Sequence, residues 1–494
     1  MTDASPTANP TANAKLTVVR ALDVIVAWDA EQQEHIYLHH ADLVLRGTQI
    51  LQVGGHYEGP VDETVDGRGL MAMPGLINMH SHPSSEPGNR GLLEELGSAK
   101  LGQSSLYEYM PVFRADISYA PYSNQVAVAE MLKSGVTTYV DMSLPRPNWA
   151  ETVAAMGIRS VLAPMFRSAA WHTSNGHSVE YTWDEAAGFK AFEAALAVTK
   201  SAFDHPSGRL TAMLCPSQID TCSEALLRAA QEEARRQGMV MQLHAAQSVV
   251  EFHEMTRRHG RTPIEWLDDQ GLLAPDLIIG HGIFLNDHPS VYWPQADDFR
   301  LLAGSGASVA HCPTVFARRG IAMNFLGRYE KAGIRVAMGT DTFPHNMLDE
   351  MRLAMYASRI MARDYTAGST ALVFNAATSV AADMLGREDI GRLAPGCKAD
   401  FSLVDLQHPF MRPAREPLRS LLYSAGDRAI KDVYVDGVML VHNGELLTID
   451  IDRALAEVEA SQRATLAKAS ANDYAKRTVE MMSPTVFRVA GKPS

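Results

Sequence analysis

Four places in the sequence carry metal-binding side chains, and each closes an apolar run. His80 and His82 follow "PGLINM", His244 ends "MVMQLH", His281 ends "LIIGH", and Asp341 ends "VAMGTD". Residues i and i+2 of an extended segment point to one side, so the imidazoles of His80 and His82 can face a single ion. Imidazoles plus one carboxylate suit Zn(II), with Fe(II) or another divalent ion as alternatives. Such an ion lowers the pKa of a water so that hydroxide exists near neutrality, and a neighbouring carboxylate can take the proton. The chemistry expected is therefore hydrolysis. Taken singly, each signal has a bland reading: a strand-end His is usually a hydrogen-bonded core residue, and a Thr-Asp after a strand usually caps a helix.

The elements that must position these residues give the group its weight. His244 and His281 lie 37 residues apart, about one β/α unit. His281 and Asp341 lie 60 apart, about two units, and His82 and His244 lie 162 apart, about four. Apolar strand-like runs at 76–79, 137–142, 159–164, 211–215, 240–244, 278–281, 308–311 and 335–339 alternate with helical patterns. That is the repeat of an α/β fold, a (β/α)8 TIM barrel, whose sites lie at the C-terminal ends of the strands. The flanks read as short β segments rich in Val, Ile and Leu. We expect them to meet in a small composite β-sandwich. The partition expected is a disordered tail at 1–14, β-sandwich at 15–73 and 393–449, barrel at 74–392, and a C-terminal helix and tail at 450–494.

Composition agrees with a globular enzyme. The 494 residues are 46% hydrophobic and 20% charged, which excludes disorder over most of the length. A formal net charge of -13 argues against nucleic acid or anionic membrane as partner and leaves a small-molecule substrate. No apolar run reaches the length of a membrane span, no signal-peptide pattern opens the chain, and the four Cys form no C-x-x-C pair. Reduced thiols in a cytoplasmic protein are the expectation.

With the motifs in hand, the sequence resembles the amidohydrolase superfamily, in its cytosine deaminase-like and triazine hydrolase-like branch. The residues that carry the resemblance are "PGLINMHSH" (74–82), "LHAAQ" (243–247), "GHGIFLND" (280–287), "AHCPTVFARRG" (310–320) and "GTDTFPHNMLDEMR" (339–352). The resemblance implies one metal ion held by His80, His82, His244 and Asp341. It implies that His281 orients or polarises water or substrate, that Asp341 is the base, and that the protein is a homodimer or larger homo-oligomer.

One position departs from the pattern. The deaminase branch resembles His-x-x-Glu where this chain has His244 and Gln247. An amide side chain can hydrogen-bond a substrate but cannot act as acid or base. Glu251, one helical turn on, reads as surface charge. Amide, urea or lactam hydrolysis asks less of Gln247, which tilts toward it, while the overall motif similarity tilts toward ring deamination or dechlorination; both stay open. A non-catalytic binding protein of the same fold should have lost ligands, and none is missing. Candidate substrate contacts are Trp171 and His172 in the loop after the third strand, Phe316 and Arg318 after the seventh, and His345 at the pocket rim. The segment 104–110 supplies aromatics that could close the site.

Overall fold

The computed structural model describes residues 14–92 and 98–490. The tail expected at 1–14 falls almost wholly outside the described residues. Among them the fold is mixed α/β, and no helix is long and apolar enough to cross a membrane.

The parallel strands follow the expected periodicity. Leu76–Ser81, Val136–Ser143, Arg159–Phe166 and Leu210–Ala212 pair side by side in one sheet, with Cys215–Pro216 continuing against Arg159–Phe166. Met241–Ala245, Leu277–His281, Ser308–His311 and Val336–Met338 form a second parallel sheet. Isolated parallel bridges join the two sheets at both edges: Leu214 to Met241 and Gln218 to His244 on one side, Ser81 to Asp341 on the other.

Alternate residues of these strands serve two cores, as a period of two requires. Leu277, Ile279, Val309, Val336 and Met338 belong to the largest apolar cluster, which packs strands against helices. Ile278, Ala310 and Ala337 join Ile77, Met79, Val140 and Met142 in another. The strands are buried on both faces, which explains their near-continuous apolar sequences.

The flanks meet, but in one continuous nine-stranded sheet. Leu16–Asp29 and Glu34–Arg46 form a long antiparallel hairpin. Phe401–Asp405, from the far end of the chain, pairs antiparallel with Leu70–Pro74. A buried cluster including Leu22, Ile25, Leu43, Phe401 and Tyr434 draws on both flanks. Arg159, 1% exposed, ties this sheet to the parallel strands: its guanidinium donates to Asp400 at 2.8 and 3.1 Å and to Asp436 at 2.6 Å. The helix expected within 450–494 spans Ile451–Asn472, and a short one follows at Val479–Met482.

Candidate active site

His80 and His82 leave the Leu76–Ser81 strand, His244 the Met241–Ala245 strand, and His281 the Leu277–His281 strand. Asp341 follows Val336–Met338 in a turn with φ 58°. The turn is pinned to the first strand, because the backbone N–H groups of Thr340 and Asp341 both donate to the His80 carbonyl at 3.0 and 2.8 Å. Asn78 Oδ1 accepts from the N–H of His80 and Thr340, holding the same junction.

Glycines allow the rings to pack. A Cβ on Gly280 would lie 2.8 Å from His80 Cε1, and one on Gly339 would lie 2.7 Å from His80 Cβ. The "GH" and "GTD" patterns therefore reflect close approach to one imidazole.

Three imidazoles converge on Asp341, and His244 joins them through His82. Its Oδ1 lies 3.7 Å from His80 Nε2 and 3.4 Å from His82 Nε2, and its Oδ2 lies 3.5 Å from His281 Nε2. His82 Nε2 and His244 Nε2 are 3.2 Å apart. The opposite ring nitrogens settle the protons. His82 Nδ1 donates to the Met142 carbonyl at 2.9 Å, and His244 Nδ1 donates to the Ser217 carbonyl at 2.5 Å. His80 Nδ1 faces Gln242 Oε1 at 2.5 Å, an oxygen oriented by Gln242 Nε2 donating to the Met79 carbonyl. Burial holds His80, His244 and His281 well below the ordinary imidazole pKa, reinforced by mutual repulsion, so these three rings are neutral. Neutral rings protonated on Nδ1 turn Nε2 lone pairs inward. His82 and His244 present Nε2 to each other at 3.2 Å, and His80 Nε2 is buried without a hydrogen-bond partner among the described residues. A cation among these atoms and Asp341 would satisfy the inward nitrogens, so the donor set fits a divalent ion. His80, His244 and His281 form one such group of ligand atoms, and His80, His82 and Asp341 another.

This cluster meets a cavity of about 640 Å³, whose wall includes His82, His244, His281 and Asp341. Trp171, Gln247, Phe316 and Arg318 also line it. Tyr107 is buried, bonded to Ser248 Oγ at 2.8 Å, and meets Trp171 edge to face. Ser104, Ser105, Leu106 and Met110 of the 104–110 segment face the cavity as well.

Three expectations are corrected. His172 does not reach the cavity: it is exposed and pairs with Glu180 at 3.2 Å. Both Trp171 and His172 belong to the Ala169–His172 strand, where neighbouring side chains point to opposite faces, so one faces in and the other out. His345 is not at the rim. It is fully buried, its Nδ1 meets Thr340 Oγ1 at 2.8 Å, and its N–H donates to Glu130. The next residue, Asn346, caps the Met347–Ala362 helix, which draws this stretch away from the cavity. Glu251 is not surface charge. It is fully buried at the start of the Val249–His259 helix and accepts from the N–H groups of Ala246 at 2.6 Å and Gln247 at 3.4 Å. Burial raises its pKa well above the carboxylate range, with nearby Asp220 adding to the effect. It holds the backbone that carries Gln247, whose side-chain Nε2 is buried without a partner.

Two features escaped the sequence reading. Gln242 stands two residues before His244 on the same strand face, a signal that alternation could have flagged. Glu86 lines the cavity in the turn after His82, is 3% exposed, and is pushed up to about 7 by burial.

Comparison with known proteins gives a consistent set of relatives. The model of the amidohydrolase family matches residues 71–440. A 5-methylthioadenosine/S-adenosylhomocysteine deaminase from Thermococcus onnurineus is 28% identical over 417 residues, covering 84% of this chain and 92% of its own. A 5'-deoxyadenosine deaminase from Methanosarcina acetivorans is 26% identical, covering 88% of this chain and 95% of its own. Among solved structures, a triazine hydrolase from Arthobacter aurescens superposes with a TM-score of 0.76 at 20% identity, covering 91% of this chain and 99% of its own. An adenosine deaminase from Xanthomonas campestris with bound zinc does so at 0.74 and 22%, covering 92% and 98%.

Proposed function

Since the chain belongs to the amidohydrolase family, we propose that it is a metal-dependent hydrolase that displaces an amine from a small nitrogen heterocycle. The observation that carries the reading is the set of inward Nε2 lone pairs, fixed by Nδ1 donation, around Asp341 at the cavity wall. His80, His82, His244 and Asp341 would hold one ion, Zn(II) in this reading, in keeping with the zinc-bound neighbour. When bound, the ion supplies Lewis acidity that activates a water. Asp341 takes a proton from the attacking water as its oxygen bonds to the ring carbon. His281 faces the charge that develops there. Gln247 donates a hydrogen bond from Nε2 to a ring nitrogen but transfers no proton. Asp341 returns the proton to the departing nitrogen, so water and ring amine become ring hydroxyl and ammonia, and the hydroxyl proton then passes through solvent to the adjacent ring nitrogen to give the carbonyl tautomer. Trp171 and Phe316 flank a planar substrate, and Arg318 contacts its substituent.

The named activities of the relatives move ring amine displacement ahead of amide or urea hydrolysis, which the Gln247 argument alone favours. The two bridged parallel sheets are read as one closed (β/α)8 barrel over residues 74–392, with the composite flank domain at 15–73 and 393–449 and the helix beyond it. Four buried free thiols support a cytoplasmic location, and assembly as a homo-oligomer completes the reading.

The test is ammonia release from aminopurine nucleosides, aminotriazines, aryl amides and ureas, with metal content measured on the same preparation. A single bound ion, loss of activity with chelator and turnover of ring amines are expected. Activity that persists without metal would overturn the proposal. Turnover of amides or ureas alone would replace the ring reading by the second one.

A further inference from the structure

The cavity is cationic within an acidic protein. Arg114, Arg167, Arg318 and Arg319 line it, and none of them forms an ion pair among the described residues. Among the described residues three carboxyl side chains share the wall: Asp341, Glu86 and Asp116. Asp341 belongs to the proposed ion site. Asp116 is occupied by the N–H and hydroxyl of Ser118. Glu86 accepts from Asn89 Nδ2 at 3.3 Å.

Arg318 and Arg319 are the most telling pair. Arg319 is half-buried, and its Nη2 donates at 2.6 Å to a neutral acceptor, Ser105 Oγ. Arg318 lies over the Phe343 ring at 4.5 Å, and its Nη2 is buried without any hydrogen-bond partner. A buried guanidinium normally has its planar fork filled by a carboxylate or phosphate, because desolvation is costly otherwise. Here two adjacent guanidiniums open onto the cavity; Asp341 and Glu86 lie within electrostatic range of Arg319, and Glu350 of Arg318, but none of these carboxyls pairs directly with either fork.

We infer that Arg318 and Arg319 form an oxyanion subsite, so that the substrate is a nitrogen heterocycle bearing a carboxylate or a phosphate. The inference rests on the proposed function for the heterocycle, and on the two arginines for the anion. The anion lies against the wall that carries Phe316 and Phe343, apart from the carbon that loses its amine. The stack on Phe343 holds the Arg318 guanidinium plane, which preorganises the fork for two parallel N–H donations.

The experiment compares matched probes on the full-length, metal-loaded protein. 9-Carboxymethyladenine is set against 9-ethyladenine, and adenosine 5'-monophosphate against adenosine. Calorimetric affinity and ammonia release are both recorded, and affinity is repeated on chelator-treated protein so that direct binding of the anion to the ion is separated out. At least one anionic probe is expected to bind about ten- to hundredfold tighter than its neutral partner, the range of a charge-assisted contact. The carboxylate and phosphate arms tell which oxyanion it is. In Arg318→Met and Arg319→Met the anionic-to-neutral ratio should fall toward unity. Equal affinity for both members of each pair in the wild type overturns the subsite, as does a ratio that survives both substitutions, and as does failure of every probe to bind. Ammonia release from neutral probes with no anionic preference would leave the proposed function standing and remove only the subsite. A clear anionic preference in binding with no ammonia release would do the reverse.

Discussion

Replacing Gln242 by Met should loosen metal binding without unfolding the protein. Gln242 and His80 are both fully buried, and His80 Nδ1 has the single acceptor Gln242 Oε1, at 2.5 Å. Methionine keeps the shape and removes the acceptor. The imidazole then has two poor choices. It can keep Nδ1–H unpaired, at a cost of ~1–3 kcal/mol for a buried donor. Or it can move the proton to Nε2 and lose the inward lone pair. Either way His80 is penalised as a ligand, and 1.4 kcal/mol per tenfold converts the first cost to about 5- to 150-fold in affinity. Partners behind metal-bound histidines are generally worth about 10- to 100-fold, which agrees. The assay is competition with a chromophoric chelator, with circular dichroism as the control for folding. Gln242→Glu keeps an acceptor for His80 and loses donation to the Met79 carbonyl, so its affinity should stay nearer the wild type than that of Gln242→Met. A folded Gln242→Met protein with affinity within about threefold of wild type would refute the reasoning, because it would mean that this hydrogen bond does not set the tautomer.

Three further outcomes are expected. Gly280→Ala places a Cβ 2.8 Å from His80 Cε1, and the buried ring cannot yield, so metal content after dialysis should fall well below wild type while secondary structure is retained. Arg159→Met leaves Asp400 and Asp436 unpaired beneath the flank sheet and should cost ~3–5 kcal/mol in urea unfolding; an unchanged midpoint would show that this ion cluster does not couple sheet to strands. Asp298 is fully buried between Thr262 and the Asn286 N–H, and burial raises its pKa from 3.8 to about 7. The folded state therefore keeps a proton that the unfolded state has released. The resulting stabilisation is full below the unfolded carboxylate pKa and is lost as pH rises through about 7. Asp298→Asn should make the fall in unfolding free energy between about pH 4 and pH 7 shallower by up to ~1.4 kcal/mol per pH unit; an unaltered slope would assign the pH dependence to other groups.

The sequence by itself determined the order and type of the parallel strands and the residues at their ends. These features are local: a buried strand needs a continuous apolar run, and a ligand at its tip needs only the next residue or two. The spacing of His82, His244, His281 and Asp341 in whole β/α units follows from that periodicity, so the candidate cluster was legible. Contacts between residues far apart in the chain were not. Gln242 as the acceptor behind His80 depends on two strands whose residues lie 162 positions apart. Glu251 reads as surface charge from its helix alone, and is buried because its carboxyl turns back to the Ala246 and Gln247 N–H groups. Trp171 and His172 read alike in a polar loop until strand pairing puts them on opposite faces. The flanks share one sheet because Phe401–Asp405 finds Leu70–Pro74, a register that no local pattern encodes. Only the tertiary structure could decide that Arg318 and Arg319 open onto the cavity with no ion pair among the described residues, since charge neutralisation is a property of what surrounds a side chain and not of its neighbours in sequence.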